Sequence, residues 1–270
     1  MPYNRRLMAD NRERPWTIRR LLNWTTEYFE RKAVDAPRLA AEMLLAHVLE
    51  MPRIKLYMDM DRPATPLERA AYRDLVERAA KHEPVQYLVE QANFFSMDFE
   101  ITTDVLIPRP STETLVEHVI QYARQRPGLA TPHIADLGTG SGVIAVALAR
   151  HLPEAAVTAT DINARALELA KRNAERHGVT DRVTFKHGSL FEPIAGQRFA
   201  FICANPPYIS DAEWEQVAPN VKDYEPAGAL RAGADGLDVI RPLIAEAPGY
   251  LHKPGQLVCE IAASQGEAVV

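Results

Sequence analysis

The chain has 270 residues, 47% of them hydrophobic, and 31 Lys and Arg against 36 Asp and Glu give a formal net charge of −5. This is the composition of a soluble globular protein with room for one or two domains. No stretch nears the ~20 uninterrupted apolar residues of a membrane span, and the start "MPYNRRLMADNRERPW" lacks the apolar core of a secretory signal, so a cytoplasmic location is expected.

Residues 1–85 hold 16 basic against 13 acidic residues, whereas residues 86–270 hold 15 against 23. An acidic larger part is a poor footprint for duplex DNA, so no stable nucleic-acid binding is expected. Six basic residues stand among the first twenty, from Arg5 to Arg20. They allow an RNA-touching arm, but a disordered terminus is the commoner reason for such a run. The two cysteines, Cys203 and Cys259, sit in apolar runs without a CxxC partner, which predicts buried thiols and no disulfide framework or metal site.

In chain order, "TIRRLLNWTTEYFER", "DAPRLAAEMLLAHVLE" and "TPLERAAYRDLVERAAK" read as helices. Asp35 is the expected cap of the second, with Pro37 in its first turn, and Thr65 and Glu68 form a T-x-x-E capping box for the third. These make residues 1–85 a small helical domain. In "FSMDFEIT", Phe95, Met97, Phe99 and Ile101 alternate with polar residues, the period of a half-buried strand, and residues 86–110 are expected to form a β-hairpin linker. From about residue 111 helices and strands alternate: "TETLVEHVIQYAR", "HIADLG", a helix from Val143, "AVTATD", "ARALELAKRNAERHG", "RVTFKH", "FAFICAN" and "GQLVCEIA". Such alternation predicts an α/β domain over residues 111–270, with a parallel sheet and a ligand crevice at the carboxyl ends of its strands.

Gly138, Thr139, Gly140, Ser141 and Gly142 follow the first sheet strand in "ADLGTGSG", where the backbone can turn tightly and bring its N–H groups to a nucleotide or nucleoside. Asp161 ends the next strand, where a carboxylate can accept both ribose hydroxyls. Asp136 either faces the ligand or braces the loop. The glycine spacing departs from G-x-G-x-x-G, which weakens a dinucleotide reading, and acids beside the loop suit a ligand with an amino group and a sulfonium charge. S-adenosylmethionine is such a ligand. "D-x-G-x-G-x-G" followed by an acid at the next strand end resembles the cofactor motif of class I methyltransferases, which implies their Rossmann-like sheet.

"NPPY", Asn205 to Tyr208, leaves the fourth sheet strand at the same edge. An amide or exocyclic amine nitrogen is a poor nucleophile because its lone pair is delocalised. The Asn205 side-chain carbonyl and the Pro206 backbone carbonyl can each accept one hydrogen of a substrate NH₂ and stabilise the charge that develops on nitrogen. Pro206 and Pro207 keep that geometry rigid, and Tyr208 offers an aromatic face to a planar group. A base-methylating enzyme, a glutamine methyltransferase acting on a ribosomal protein and a binding module that has lost catalysis compete at this point.

"EPVQYL", "VLIPRPSTETLVE", "DLGTGSG", "NPPYI", "YEPAGAL", "GADGLDVIR" and "QGEAV" stand in the order found in the release factor glutamine methyltransferases of HemK type, which the chain resembles over residues 17–270. The resemblance implies an enzyme that methylates the glutamine of the Gly-Gly-Gln loop of class I peptide chain release factors, with a helical N-terminal domain; that domain is expected to recognise the substrate, and the protein is expected to be a monomer. It also implies adenine contacts at Ser189 and Leu190. "TE" at Thr112 and Glu113 favours this subgroup. The chain departs from the family in having Ser189 where an acidic residue is common and Glu90 where glycine is usual. It also stops at "QGEAVV", so the final strands of a class I sheet are expected to be missing.

Overall fold

Among the described residues the first helix, α1 (Ile18–Arg31), starts where the Thr17 hydroxyl accepts the Arg20 N–H at 3.3 Å, and it buries Ile18, Leu21, Leu22, Thr25 and Phe29 along one face. The computed structural model describes residues 15–126 and 131–269, so of the basic run from Arg5 to Arg20 the residues up to Arg14 lie outside the described residues, while Arg19 and Arg20 stand in α1. Helix α2 (Pro37–Val48) is not capped by Asp35: Ala36 is the cap residue, with φ of 44° and no side-chain hydrogen bond. Pro37 brings no N–H to be satisfied and disfavours a helical conformation in the residue before it, so the helix begins without a cap. After the short α3 (Arg53–Met58), α4 (Pro66–Ala79) shows both halves of its capping box, with Thr65 N donating to Glu68 at 2.7 Å and Glu68 N to Thr65 at 3.2 Å. A single turn, α5 (Val85–Leu88), closes the helical unit. Its core joins Ile18, Leu22, Phe29, Leu44, Leu45, Leu56, Tyr72 and Val76.

The described residues up to Val89 form one compact unit and those from Glu90 onward a second. Glu90, standing where glycine is usual, has φ of 54°, so its backbone holds a left-handed turn. Strands β1 (Gln91–Phe94) and β2 (Met97–Glu100) pair antiparallel, and Phe95 and Ser96 form the turn between them at φ of 51° and 59°. The alternating run is therefore broken by the turn, which the Glu113 carboxylate braces by accepting Phe95 N at 2.7 Å. Phe94 and Phe99 pack into the core of the second unit.

That unit is a five-stranded parallel sheet flanked by helices. Helix α6 (Pro110–Arg124) precedes β3 (His133–Leu137), and α7 (Val143–His151) leads to β4 (Ala156–Asp161). Then follow α8 (Ala164–Arg176), β5 (Val183–His187) and β6 (Phe199–Ala204). The short α9 (Asp211–Trp214) and α10 (Pro219–Lys222) lead to α11 (Ile240–Tyr250) and β7 (Leu251–Cys259). The strand order is β5-β4-β3-β6-β7, so the order reverses between β3 and β6, the switch point at which open sheets leave a crevice. From Phe201 to Ala204 successive residues of β6 alternate between the two faces: Phe201 and Cys203 join the helix layer of α6 and α7, while Ile202 and Ala204 join that of α11. Before the irregularity between Phe199 and Phe201, Phe199 also joins the α11 layer. Cys203 is buried as expected, but Cys259, at the end of β7, is only partly so. Among the described residues no helix is long and apolar enough to cross a membrane.

Candidate active site

Residues Gly138 to Gly142 link β3 to α7, and Gly138, Gly140 and Gly142 have φ of 71°, 56° and 84°, values that only glycine adopts without strain. A Cβ on Gly142 would stand 2.9 Å from the Ala170 Cβ, so this glycine serves close packing of the loop on α8. A Cβ on Gly138 or Gly140 would meet nothing within 4 Å: over these two the space is open.

The loop's N–H groups differ from the sequence expectation. Gly138 N and Thr139 N both donate to Thr160 O at 2.9 Å, Gly142 N donates to Thr139 O at 2.9 Å, and Gly140 N donates to the Asp161 carboxylate at 2.8 Å. With these donors spent inside the protein, the loop is a poor cradle for phosphates. The other Asp161 oxygen accepts Asn163 N at 2.8 Å. A carboxylate has about four lone-pair sites, so Asp161 still has capacity for ligand hydroxyls.

Asp136 is fully buried beneath the loop and does not line the cleft. Its Oδ2 accepts the Thr139 hydroxyl at 2.6 Å and Ala145 N at 3.1 Å, a bracing geometry, while its Oδ1 is buried without a partner. Burial pushes its carboxyl up to about 7, against the pull of those two hydrogen bonds and with the nearby Asp161 charge adding to the rise.

The cleft encloses about 590 Å³ at the carboxyl ends of β3, β4 and β6. It brings together Gly138, Thr139, Gly140, Ser141, Asp161, Ser189, Leu190, Asn205, Pro206 and Pro207, and leaves Asp136, Gly142 and Tyr208 out of its lining. Asn205 follows the last residue of β6, and its amide nitrogen donates to the Thr112 hydroxyl at 3.0 Å. Thr112 donates to Glu260 at 2.7 Å, and Ser111 donates to the second Glu260 oxygen at 2.9 Å. Tyr208 stands near the same carboxylate, and burial together with that charge raises its phenol above the usual range. The backbone of the motif is fastened from outside: Tyr208 N and Ile209 N donate to Leu230 O at 3.1 and 2.8 Å, and the Gln265 amide donates to Tyr208 O at 3.0 Å.

Sequence reasoning missed the facing walls, Val105, Leu106 and Pro108 on one side and Pro226, Gly228 and Ala229 on the other. The buried Glu225 ties them together, accepting Arg109 at 2.5 Å and Ile107 N at 3.2 Å. A lone arginine and a lone glutamate, each beside proline in "IPRP" and "YEPAG", are the signal that could have paired them. Ile162, next to Asp161, was also missed; it is 72% exposed and gives the cleft an apolar lip.

Two sequence families match the chain: the PrmC N-terminal domain over residues 20–89 and the methyltransferase small domain over residues 110–222. A release factor glutamine methyltransferase of Geobacter sulfurreducens is 46% identical over 258 residues, covering 94% of this chain and 87% of its own. A second, of Rhodopirellula baltica, is 42% identical over 92% of this chain and 84% of its own. Among solved structures, the ribosomal protein L11 methylase of Lactobacillus delbrueckii subsp. bulgaricus is similar over 60% of this chain and 66% of its own, at 24% identity and a TM-score of 0.43.

Proposed function

The chain belongs to the release factor glutamine methyltransferases, and from that premise we propose that Asn205 and Pro206 hold the glutamine amide of the Gly-Gly-Gln loop of a class I release factor beside a methyl donor seated over the glycine loop. The protein is an enzyme of the class I methyltransferase fold that methylates a release factor glutamine, with S-adenosylmethionine as donor. The observation that carries the residue assignment is that Asn205, Pro206 and the loop Gly138–Ser141 line one cleft.

The site suits this donor. The space open above Gly138 and Gly140 admits a ligand close to the backbone, the loop's spent N–H groups offer little to a phosphate, and the buried Asp136 carboxyl adds negative potential under the loop once it is ionised. S-adenosylmethionine supplies an electrophilic methyl group on a sulfonium. Asp161 would hold its ribose hydroxyls, and Ser189 and Leu190, which line the same cleft, would border the adenine. The protein's task at the other end is alignment. With Asn205 Oδ1 and the Pro206 carbonyl each accepting one amide hydrogen, the amide would be held with a face, and so its nitrogen lone pair, toward the donor's methyl group, and the two oxygens would stabilise the positive charge that grows on nitrogen. The proton then leaves readily to water, because an N-protonated amide is strongly acidic. Tyr208, outside the cleft lining, offers its aromatic face to the planar group that arrives beside the motif.

The helical unit serves recognition of the release factor. The support is its basic balance and the apolar side chains of α3 left in solvent, Ile54 at 67% and Met58 at 80% exposure. The enzyme acts as a monomer in the cytoplasm and does not hold nucleic acid stably; the acidic balance of residues 86–270 supports the last point. Replacing Asn205 with Ala is expected to lower kcat by about 10²–10³, as for loss of one preorganised hydrogen-bond partner, with cofactor affinity unchanged. A folded variant with unchanged kcat would overturn the assignment.

A further inference from the structure

We infer that Thr112 and Glu260 are positioning residues that fix which end of the Asn205 amide faces the substrate. The inference rests on the reading of Asn205 given above and extends it to two residues distant in sequence.

The two ends of an asparagine amide are nearly equal in size, and a half-turn about the last side-chain bond exchanges oxygen for NH₂. For the methyl transfer that exchange would be ruinous: an NH₂ pointed at the substrate amide would compete as a donor and repel the developing positive charge. Something must therefore hold the oxygen inward. The chain of hydrogen bonds behind Asn205 does so by elimination. Glu260 as a carboxylate can only accept, and its Oε2 lies 2.7 Å from the Thr112 hydroxyl. Thr112 has a single proton, and this acceptor claims it. Its lone pairs are what remain to face Asn205, 3.0 Å away, and only the NH₂ end of an amide can donate to them. The oxygen is left for the cleft.

The fold makes the arrangement stiff. Thr112 is 2% exposed in the first turn of α6, so water has little access to replace either bond. The second Glu260 oxygen is held by the Ser111 hydroxyl at 2.9 Å. Glu260 N donates to Ala204 O at 3.0 Å, which ties the residue after β7 to the end of β6, one residue before Asn205.

The test is steady-state kinetics on the full chain with release factor and S-adenosylmethionine, alongside cofactor binding by calorimetry, for Thr112→Val, Thr112→Ser, Glu260→Gln and Asn205→Ala. Thr112→Val keeps the shape and removes both the proton and the lone pairs; kcat is expected to fall by about 10–10², with KM and cofactor affinity within about twofold of wild type. Thr112→Ser keeps the hydroxyl and is expected to recover most of that loss. Glu260→Gln can donate as well as accept, so the direction of the chain is no longer dictated, and a fall of about tenfold in kcat is expected. Adding Thr112→Val to Asn205→Ala is expected to cost about twofold or less, because both act through the same amide. A Thr112→Val enzyme with wild-type kcat, a Thr112→Ser enzyme as slow as Thr112→Val, or full additivity with Asn205→Ala would overturn the inference. If Asn205→Ala is slow while Thr112→Val is not, only the positioning role fails; if Asn205→Ala keeps the full rate, the reading of Asn205 fails and the positioning role with it.

Discussion

Asp136 gives a quantitative handle on the glycine loop through pH. Its carboxyl is pushed from 3.8 to about 7 in the folded protein, chiefly by burial. Because the folded value lies above the unfolded one, the folded state holds the extra proton between these limits, and stability falls as pH rises through the window. The cost is absent below the unfolded value and complete above about 7. At 1.36 kcal/mol for each tenfold change, the full cost is about 4 kcal/mol, of which about 2–3 kcal/mol develops between about pH 5 and pH 8. Asp136→Asn cannot titrate, so its stability relative to wild type is expected to improve by about 2–3 kcal/mol over that interval. Chemical denaturation read by hydrogen exchange in peptides of residues 133–151 reports on this sheet rather than on the helical unit. Saturating S-adenosylmethionine is expected to shrink the difference, since a cationic ligand above the loop favours the ionised carboxyl. A stability difference flat in pH, or one that moves in favour of the wild type as pH rises, would refute the account of Asp136.

Gly236→Ala places a Cβ 2.3 Å from Tyr208 O at a φ of 75°; it is expected to destabilise the protein by about 2 kcal/mol or more and to slow methyl transfer by shifting the motif backbone, measured by denaturation and single-turnover kinetics. Ile54→Asp combined with Met58→Asp, both on the exposed face of α3, is expected to raise KM for release factor about tenfold while leaving folding and cofactor affinity unchanged, and an unchanged KM would remove this face from recognition.

How much could be read in advance follows from the range of the interactions. The capping box of Thr65 and Glu68, the apolar run of β6 and the glycines of the loop are local, and each was legible from neighbouring residues. Asp35 shows the limit of such reading: its side chain is a good cap by type, but Pro37 starts the helix without a donor and Ala36 takes the left-handed position instead. The hairpin turn at Phe95 and Ser96 was hidden because neither residue signals a positive φ, and the hydrogen bond that holds the turn comes from Glu113 in another element. At the site, the residues of the cleft floor came from motifs, whereas the walls did not, because the Arg109–Glu225 pair and the Asn205–Thr112–Glu260 chain join residues far apart in sequence. The loop's N–H groups were expected to meet the ligand, but backbone direction at a strand end is decided by the neighbouring strand, and Thr160 takes two of them.

The most direct measurement of the central claim is to incubate the enzyme with S-adenosylmethionine, purified class I release factor and, separately, duplex DNA, and to locate the added methyl group by fragmentation mass spectrometry. The account expects one methyl group on the side-chain nitrogen of the Gly-Gly-Gln glutamine, abolished or strongly slowed by Asn205→Ala, and none on DNA. A methyl group on another residue of the release factor, or on a nucleic-acid base with the release factor unmodified, would contradict it.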